Sequence, residues 1–266
     1  MTLYDICAGQ INRRMMRPGF IFLMNLLAVP ALILWTMAGV LLFPVGFVFM
    51  RLVMGYSSML ITRKCIWIYG RVWQFFLRPF VTFSPIEIHG NPFKEPGVIV
   101  VNHRSFFDTY CMNMMPVSDV CFAVRDWPFK IPLYNIFMNM AGYINIETFI
   151  WDDILKVAGK NFKNSSYILF FPEGHRSKTR EMTAFYSGAF KLAIENNVPV
   201  IPICLTGTED LLPPGRHFMK PAHIKMQVLD PVYPEPFQTT MGHIAYKRAV
   251  KEKMDRVIRQ MEGGLE

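Results

Sequence analysis

Hydropathy divides the chain into two regimes. From Gly19 to Met50 there are thirty-two consecutive positions without a charge. One bilayer span needs about 20 residues and two need about 40 plus a turn, so this run is too long for one upright helix and too short for two. Pro30 and Pro44 interrupt it, and proline breaks or kinks a helix interior. The pattern predicts a re-entrant or half-inserted helical hairpin, with a single tilted span as the alternative. A cleaved signal peptide does not fit, because the run is too long and no small-residue cleavage site follows it. Residues 52–80 then alternate Trp67, Tyr69, Trp73, Phe75 and Phe76 with Arg63, Lys64, Arg71 and Arg78. That mixture suits a helix lying in the headgroup layer, or one packed on a neighbouring domain.

From about Ile86 the period changes. Short β-prone runs at 86–88, 98–101, 120–124, 143–146, 167–171, 200–206 and 224–229 alternate with helical stretches at 105–115, 129–140, 152–163, 184–196 and 242–261. The last of these keeps Ile244, Val250, Met254, Val257, Ile258 and Met261 on one face. Strand–helix alternation of this kind predicts an α/β domain with a mixed, largely parallel sheet flanked by helices. The chain therefore reads as a two-helix membrane-associated element over 1–84, followed by an α/β domain over 85–266.

Composition sharpens the first region. Apolar residues make up 52% of the chain, and the net charge is +8. Residues 1–84 hold eight Lys/Arg against one acid, Asp5, so nearly all the basic excess lies in the greasy third. Bases beside apolar segments point to anionic lipid headgroups, whereas nucleic-acid binders spread a basic stripe over a folded domain. A bilayer is the expected partner and nucleic acid is not. Bases on both flanks of the apolar run place both ends on the cytoplasmic side, at the inner (plasma) membrane. Cys7, Cys65, Cys111, Cys121 and Cys204 are scattered, with no Cys-x-x-Cys. Neither a disulfide framework nor a zinc site is indicated, which fits a reducing compartment.

Two polar clusters follow apolar strands directly. Val98–Val101 opens into Asn102-His103-Arg104-Ser105-Phe106-Phe107-Asp108, and Tyr167–Phe170 opens into Phe171-Pro172-Glu173-Gly174-His175-Arg176-Ser177. Ligands of α/β sheets gather at the carboxyl ends of strands. Ser105 with Asp108 three residues on resembles a capping box, which would hold Asp108 in a first helical turn facing back toward His103. The pair suits a general base oriented by a carboxylate, and it equally suits a capping Asp beside a hydrogen-bonded His. No Gly-x-Ser-x-Gly elbow, phosphate-binding Gly-x-x-x-x-Gly-Lys-[Ser/Thr] or His-Glu-x-x-His motif is present. A base without a protein nucleophile implies direct attack by a substrate hydroxyl on an activated acyl carbonyl. Arg176 could fork onto a phosphate, Glu173 could accept from hydroxyls, and Gly174 suits close backbone approach to a ligand.

Asn102-His103-x-x-x-x-Asp108 followed by Phe171-Pro172-Glu173-Gly174-His175-Arg176-Ser177 resembles the first and third signature blocks of the lysophosphatidate (glycerolipid) acyltransferase family. Val198-Pro199-Val200-Ile201-Pro202-Ile203 is similar to its fourth. The resemblance covers about residues 85–230 and extends to the N-terminal two-helix element. It implies that His103 is the general base, that Asp108 orients it, and that Glu173, Gly174, Arg176 and Ser177 form the acceptor site. It further implies an acyl thioester of coenzyme A or acyl carrier protein as donor, a lysolipid as acceptor, and no metal or redox cofactor. The second block departs from the family pattern. Gly142-Tyr143-Ile144-Asn145-Ile146-Glu147-Thr148 has Thr148 where the family usually has an Arg that contacts the acceptor phosphate. Arg104 and Arg125 are the residues expected to compensate; otherwise the acceptor is another lysolipid, such as a lyso-amino-acid lipid. A non-catalytic lipid-binding module and a thioester hydrolase are the competing readings.

Overall fold

The computed structural model describes residues 17–177 and 179–263; Cys7, Arg13 and Arg14 lie outside them. Helix α1 runs unbroken from Pro18 to Val53, about 54 Å at 1.5 Å per residue. The hairpin expected within 19–50 is therefore not formed. The chain turns only at 54–57, beyond the uncharged run, and α2 (Ser58–Leu77) packs back along α1. Pro30 and Pro44 both lie inside α1 on its exposed face. Each removes one backbone hydrogen bond and crowds the preceding turn, but the helix continues through them. The Ser57 hydroxyl accepts from Leu60 N at 3.3 Å and caps α2, and Trp35 stacks on Tyr69 to hold the two helices together. The expected two-helix element exists with a different division of the sequence.

Helix α2 packs on the α/β domain rather than lying free. It buries Ile61, Trp73, Leu77 and the guanidinium of Arg63. Arg63 pairs with Asp119 at 2.7 Å and donates from Nε to the Ala141 carbonyl at 2.8 Å. Phe75 and Phe76 remain exposed on the other face.

Eight strands form one sheet: β1 (Val81–Phe83), β2 (Glu87–Ile88), β3 (Val98–Val101), β4 (Val120–Val124), β5 (Ile144–Asn145), β6 (Tyr167–Phe170), β7 (Val200–Thr206) and β8 (Ala222–Val228). Their order is β1-β8-β7-β3-β6-β4-β5, and β2 also pairs with β8. Every pairing is parallel except β7 with β8. The intervening helices are α3 (Asp108–Cys111), α4 (Pro132–Met140), α5 (Trp151–Lys163), α6 (Gly188–Glu195), α7 (Thr208–Leu211) and α8 (Gly242–Gly263).

Both sheet faces are covered, which is why the central strands read as continuous apolar runs. Val98, Val100, Ile168 and Val200 meet α5, α6 and α8 on one side. Ile99, Val101, Leu169 and Ile201 meet α1, α2 and α3 on the other. Strand β3 sits between β6 and β7. The carboxyl ends of these three parallel strands therefore open side by side, and the two polar clusters become neighbours. Cys111, Cys121 and Cys204 are buried and unpaired, and burial pushes the Cys121 thiol up to about 11.

Candidate active site

His103 Nδ1 lies 2.8 Å from Asp108 Oδ2. The carboxylate is buried and the imidazole side chain is 18% exposed. Asp108 Oδ2 also accepts from the backbone amides of Arg104 at 2.7 Å and Ser105 at 2.8 Å, while Oδ1 accepts from the Thr208 hydroxyl at 2.5 Å. An acceptor already facing two N–H groups requires the third partner to donate as well. Nδ1 of the neutral ring therefore carries the proton, and Nε2 presents its lone pair. Phe171 packs flat against the ring, with centroids 4.3 Å apart. The half of the capping box that forms is the one from Ser105 N to Asp108; the Ser105 hydroxyl turns instead to the Leu212 carbonyl.

Glu173 does not offer its carboxylate to an acceptor, as the sequence suggested. It is fully buried. Oε1 accepts from His103 N at 2.7 Å, and Oε2 accepts from Thr183 N at 2.8 Å and Thr183 Oγ1 at 2.9 Å. Ser177 donates its backbone amide to the His103 carbonyl at 2.8 Å, and its hydroxyl is held by Glu181 and Thr179 within its own loop. The second cluster thus grips both peptide groups of His103. Gly174 has φ +70, and a Cβ there would lie 2.6 Å from the Tyr186 ring. The glycine is required by this turn, whatever approaches it from outside.

Arg104 departs from its expected role in a similar way. Its side chain is 1% exposed, and Nη1 binds Glu209 at 2.9 Å and Glu262 at 2.5 Å. The guanidinium is directed into the protein and ties the His103–Asp108 loop to α7 and α8. Burial holds the Glu209 carboxyl above its ordinary range even beside this cation. Breaking a buried ion pair from one side costs about 3–5 kcal/mol, and the partial exposure of Glu262 sets this triad near the lower end. Arg104→Met is accordingly expected to lower unfolding free energy by about 3 kcal/mol, read as a reduced urea midpoint at constant slope. A midpoint equal to that of the unsubstituted protein would contradict the clamp.

Arg125 is half exposed and binds Glu147 at 2.6 Å. Arg176 is exposed and enters no ion pair among the described residues. Thr148 is exposed as well. The structure therefore brings His103, Asp108, Glu173 and Ser177 together, sends Arg104 inward, and leaves Arg125 and Arg176 at the surface.

Three contributors have roles that the sequence does not assign. Asn102 bridges β3 to β7, donating to Leu205 O and accepting from Leu205 N, both at 2.8 Å. Thr208 binds Asp108, and Thr183 binds Glu173. A signal existed for Thr208. Gly207-Thr208-Glu209-Asp210 is a third polar run directly following an apolar strand.

Residues 85–206 match the family model described as Acyltransferase. Over 142 residues the chain is 32% identical to a chloroplastic 1-acyl-sn-glycerol-3-phosphate acyltransferase of Brassica napus, covering 52% of this chain and 41% of that one. A chloroplastic counterpart of Arabidopsis thaliana is 33% identical over 141 residues, covering 52% and 39%. The matched part spans about two fifths of the length of these plant relatives. The crystal structure of the 1-acyl-sn-glycerophosphate (LPA) acyltransferase of Thermotoga maritima shares the fold, with TM-score 0.65 and 22% identity, over 88% of this chain and 98% of that one. Every site residue named above from Asn102 to Thr183 lies within the matched segment, whereas Thr208, Glu209 and Glu262 lie beyond it.

Proposed function

We propose that this chain is a membrane-associated O-acyltransferase. It moves a fatty acyl group from a thioester of coenzyme A or acyl carrier protein to the hydroxyl of a lysolipid, lysophosphatidate first among them. The observation that carries the reading is the His103–Asp108 contact at the open ends of β3 and β6, with Nε2 left as a proton acceptor.

In the proposed reaction, His103 Nε2 takes the proton of the acceptor hydroxyl as its oxygen attacks the thioester carbonyl. The C–S bond then breaks, and the departing thiolate recovers the proton from the imidazolium. Protons balance over the cycle and no protein nucleophile is acylated. Asp108 keeps the ring in the competent tautomer and stabilises the imidazolium that forms between the two steps. Positioned proton transfer of this kind contributes about 10²–10⁴ in rate. The remainder falls to bringing both substrates together at the membrane surface. Helix α1, long and apolar enough to meet a bilayer, supplies the attachment, and the basic residues near it favour the cytoplasmic leaflet.

The names of the plant and Thermotoga proteins support lysophosphatidate as acceptor. One departure from the family pattern bears on how a headgroup phosphate would be held. Thr148 stands where the family pattern has an arginine, and Arg125 nearby is already neutralised by Glu147. Arg176 is then the cation available to a headgroup phosphate. Incubation with labelled acyl thioester and a panel of lysolipids, followed by product mass, tests the assignment. Lysophosphatidate should outperform uncharged and amino-acid lysolipids, and Arg176→Ala should raise its KM by about tenfold, the value of one charge-assisted contact near 1.5 kcal/mol. Free fatty acid released without any acceptor would instead identify a hydrolase.

A further inference from the structure

Helix α4 has an anomalous composition for its place. Its nine residues, Pro132–Met140, include six apolar or aromatic side chains and no charge, yet none is buried by the protein. Ile136 is 55% exposed. Leu133 and, just before the helix, Trp127 and Ile131 are exposed as well. Single surface hydrophobics are ordinary, but a contiguous group of this kind marks an interaction surface.

Its occupant follows from what it adjoins. Phe137 packs edge-on against Phe43 in the C-terminal half of α1, with ring centroids 4.9 Å apart. The apolar face of α4 therefore adjoins the flank of α1 that exposes Ile33 and Met37. The seam between the two helices keeps a cavity of about 300 Å³ lined by Ile33, Met37, Tyr110 and Tyr134, among others. Helix α1 is also tied to the domain at its other end, where the Asn25 amide donates to and accepts from the Met219 backbone at 2.8 and 2.9 Å. Fixed at both Asn25 and Phe43, α1 lies along the domain. A bilayer that receives its apolar face must also meet α4.

The charges around α4 are already paired within the protein, Lys130 with Asp126 and Arg125 with Glu147. Attraction to anionic headgroups therefore contributes little at this patch, and apolar insertion dominates. We infer that Trp127, Ile131, Leu133 and Ile136 form a second bilayer-contact surface within the α/β domain, inserted beside α1 into the same leaflet. This deepens the membrane reading above. It implies that the acyltransferase domain is held at the lipid surface by two elements of the fold rather than tethered by its N-terminal helix alone.

The test places an environment-sensitive NBD fluorophore at Ile136→Cys, with Cys7 and Cys65 replaced by serine; Cys111, Cys121 and Cys204 are buried. The control carries the probe at Arg248→Cys on the exposed side of α8. In vesicles of phosphatidylcholine, the probe at 136 should shift to the blue. Lipid-borne nitroxide should quench it roughly threefold more than the control, as for a side chain buried some 5–10 Å into the interface. This contrast should hold at high salt. A probe at 136 as wet as the one at 248 would overturn the surface. Shielding at 136 without lipid quenching, growing with protein concentration, would also overturn it and identify a second copy of the chain as the occupant. A separate arm uses Leu133→Asp with Ile136→Asp. It should raise KM for vesicle-embedded acceptor about tenfold while kcat on detergent-dispersed substrates stays unchanged. A vesicle KM equal to that of the unsubstituted protein would contradict the proposal. The fluorescence arm does not depend on turnover, so an inactive protein would bear on the proposed reaction alone.

Discussion

His103→Ala is expected to lower acyl transfer by about 10²–10⁴-fold while the protein stays folded and bound to membranes. The separation of activity from stability follows from the hydrogen-bond arrangement. When the imidazole is removed, Asp108 keeps the amides of Arg104 and Ser105 and the Thr208 hydroxyl, so no buried carboxylate is orphaned. What is lost is the Nδ1–Asp108 hydrogen bond and the contact of a partly exposed ring with Phe171, a destabilisation of about 1 kcal/mol. Turnover is measured with labelled thioester in detergent, and folding by thermal melting. Turnover close to that of the unsubstituted enzyme would remove His103 as the base.

Glu173→Gln separates two roles that sequence alone leaves merged. The carboxylate meets donors at both oxygens: His103 N on one side, Thr183 N and its hydroxyl on the other. An amide has one oxygen, so its NH₂ group must face one of those N–H groups. A buried donor without an acceptor costs about 1–3 kcal/mol. Where that cost displaces His103, kcat should fall by about 10–100-fold. Acceptor KM should stay within about twofold, since KM is set by groups that touch the substrate. If KM rose and kcat held, the carboxylate would be an acceptor ligand and the buried geometry would be misleading about its role. The melting temperature should also drop, because Thr183 and the loop carrying Phe171–Ser177 lose an anchor.

Much of the α/β layout was legible because its signals are local. Strands β3, β4, β6 and β7 are short apolar runs ended by polar residues, and α8 carries an apolar face at helical spacing. Strand β1 was not legible. Its three residues are too few to show alternation, and its identity as a strand comes from pairing with Ala222–Ile224, far away in sequence. The α1 hairpin failed for a different reason. Proline in a helix interior costs a backbone hydrogen bond and crowds the preceding turn, but it does not by itself end a long apolar helix: α1 continues through Pro30 and Pro44, and the stop comes from Gly55, Tyr56 and Ser57 after the uncharged run.

At the site, spacing predicted that His103 and Asp108 could meet, because five residues and one helix start fix that distance locally. It could not predict that Glu173 and Arg104 would turn inward. Their partners, Thr183, Glu209 and Glu262, come from separate elements, and only the folded sheet brings them within reach. Both residues were read as binding groups because charged side chains near a strand end suggest a substrate. In the folded protein their charges are occupied in holding the His103–Asp108 loop. Arg176, with no such partner among the described residues, remains open to a ligand.

The central claim concerns a single proton, carried on Nδ1 of His103 and tied to Asp108, with Nε2 free to accept another. Nitrogen-15 NMR of ring-labelled histidine, assigned through His103→Ala, reads this directly. The prediction is that, in the neutral ring, the Nδ1 resonance has the shift of a protonated nitrogen and Nε2 that of a bare one, and that Asp108→Asn abolishes the preference. A proton found on Nε2 in the unsubstituted protein would leave no acceptor facing the substrate and would contradict the account.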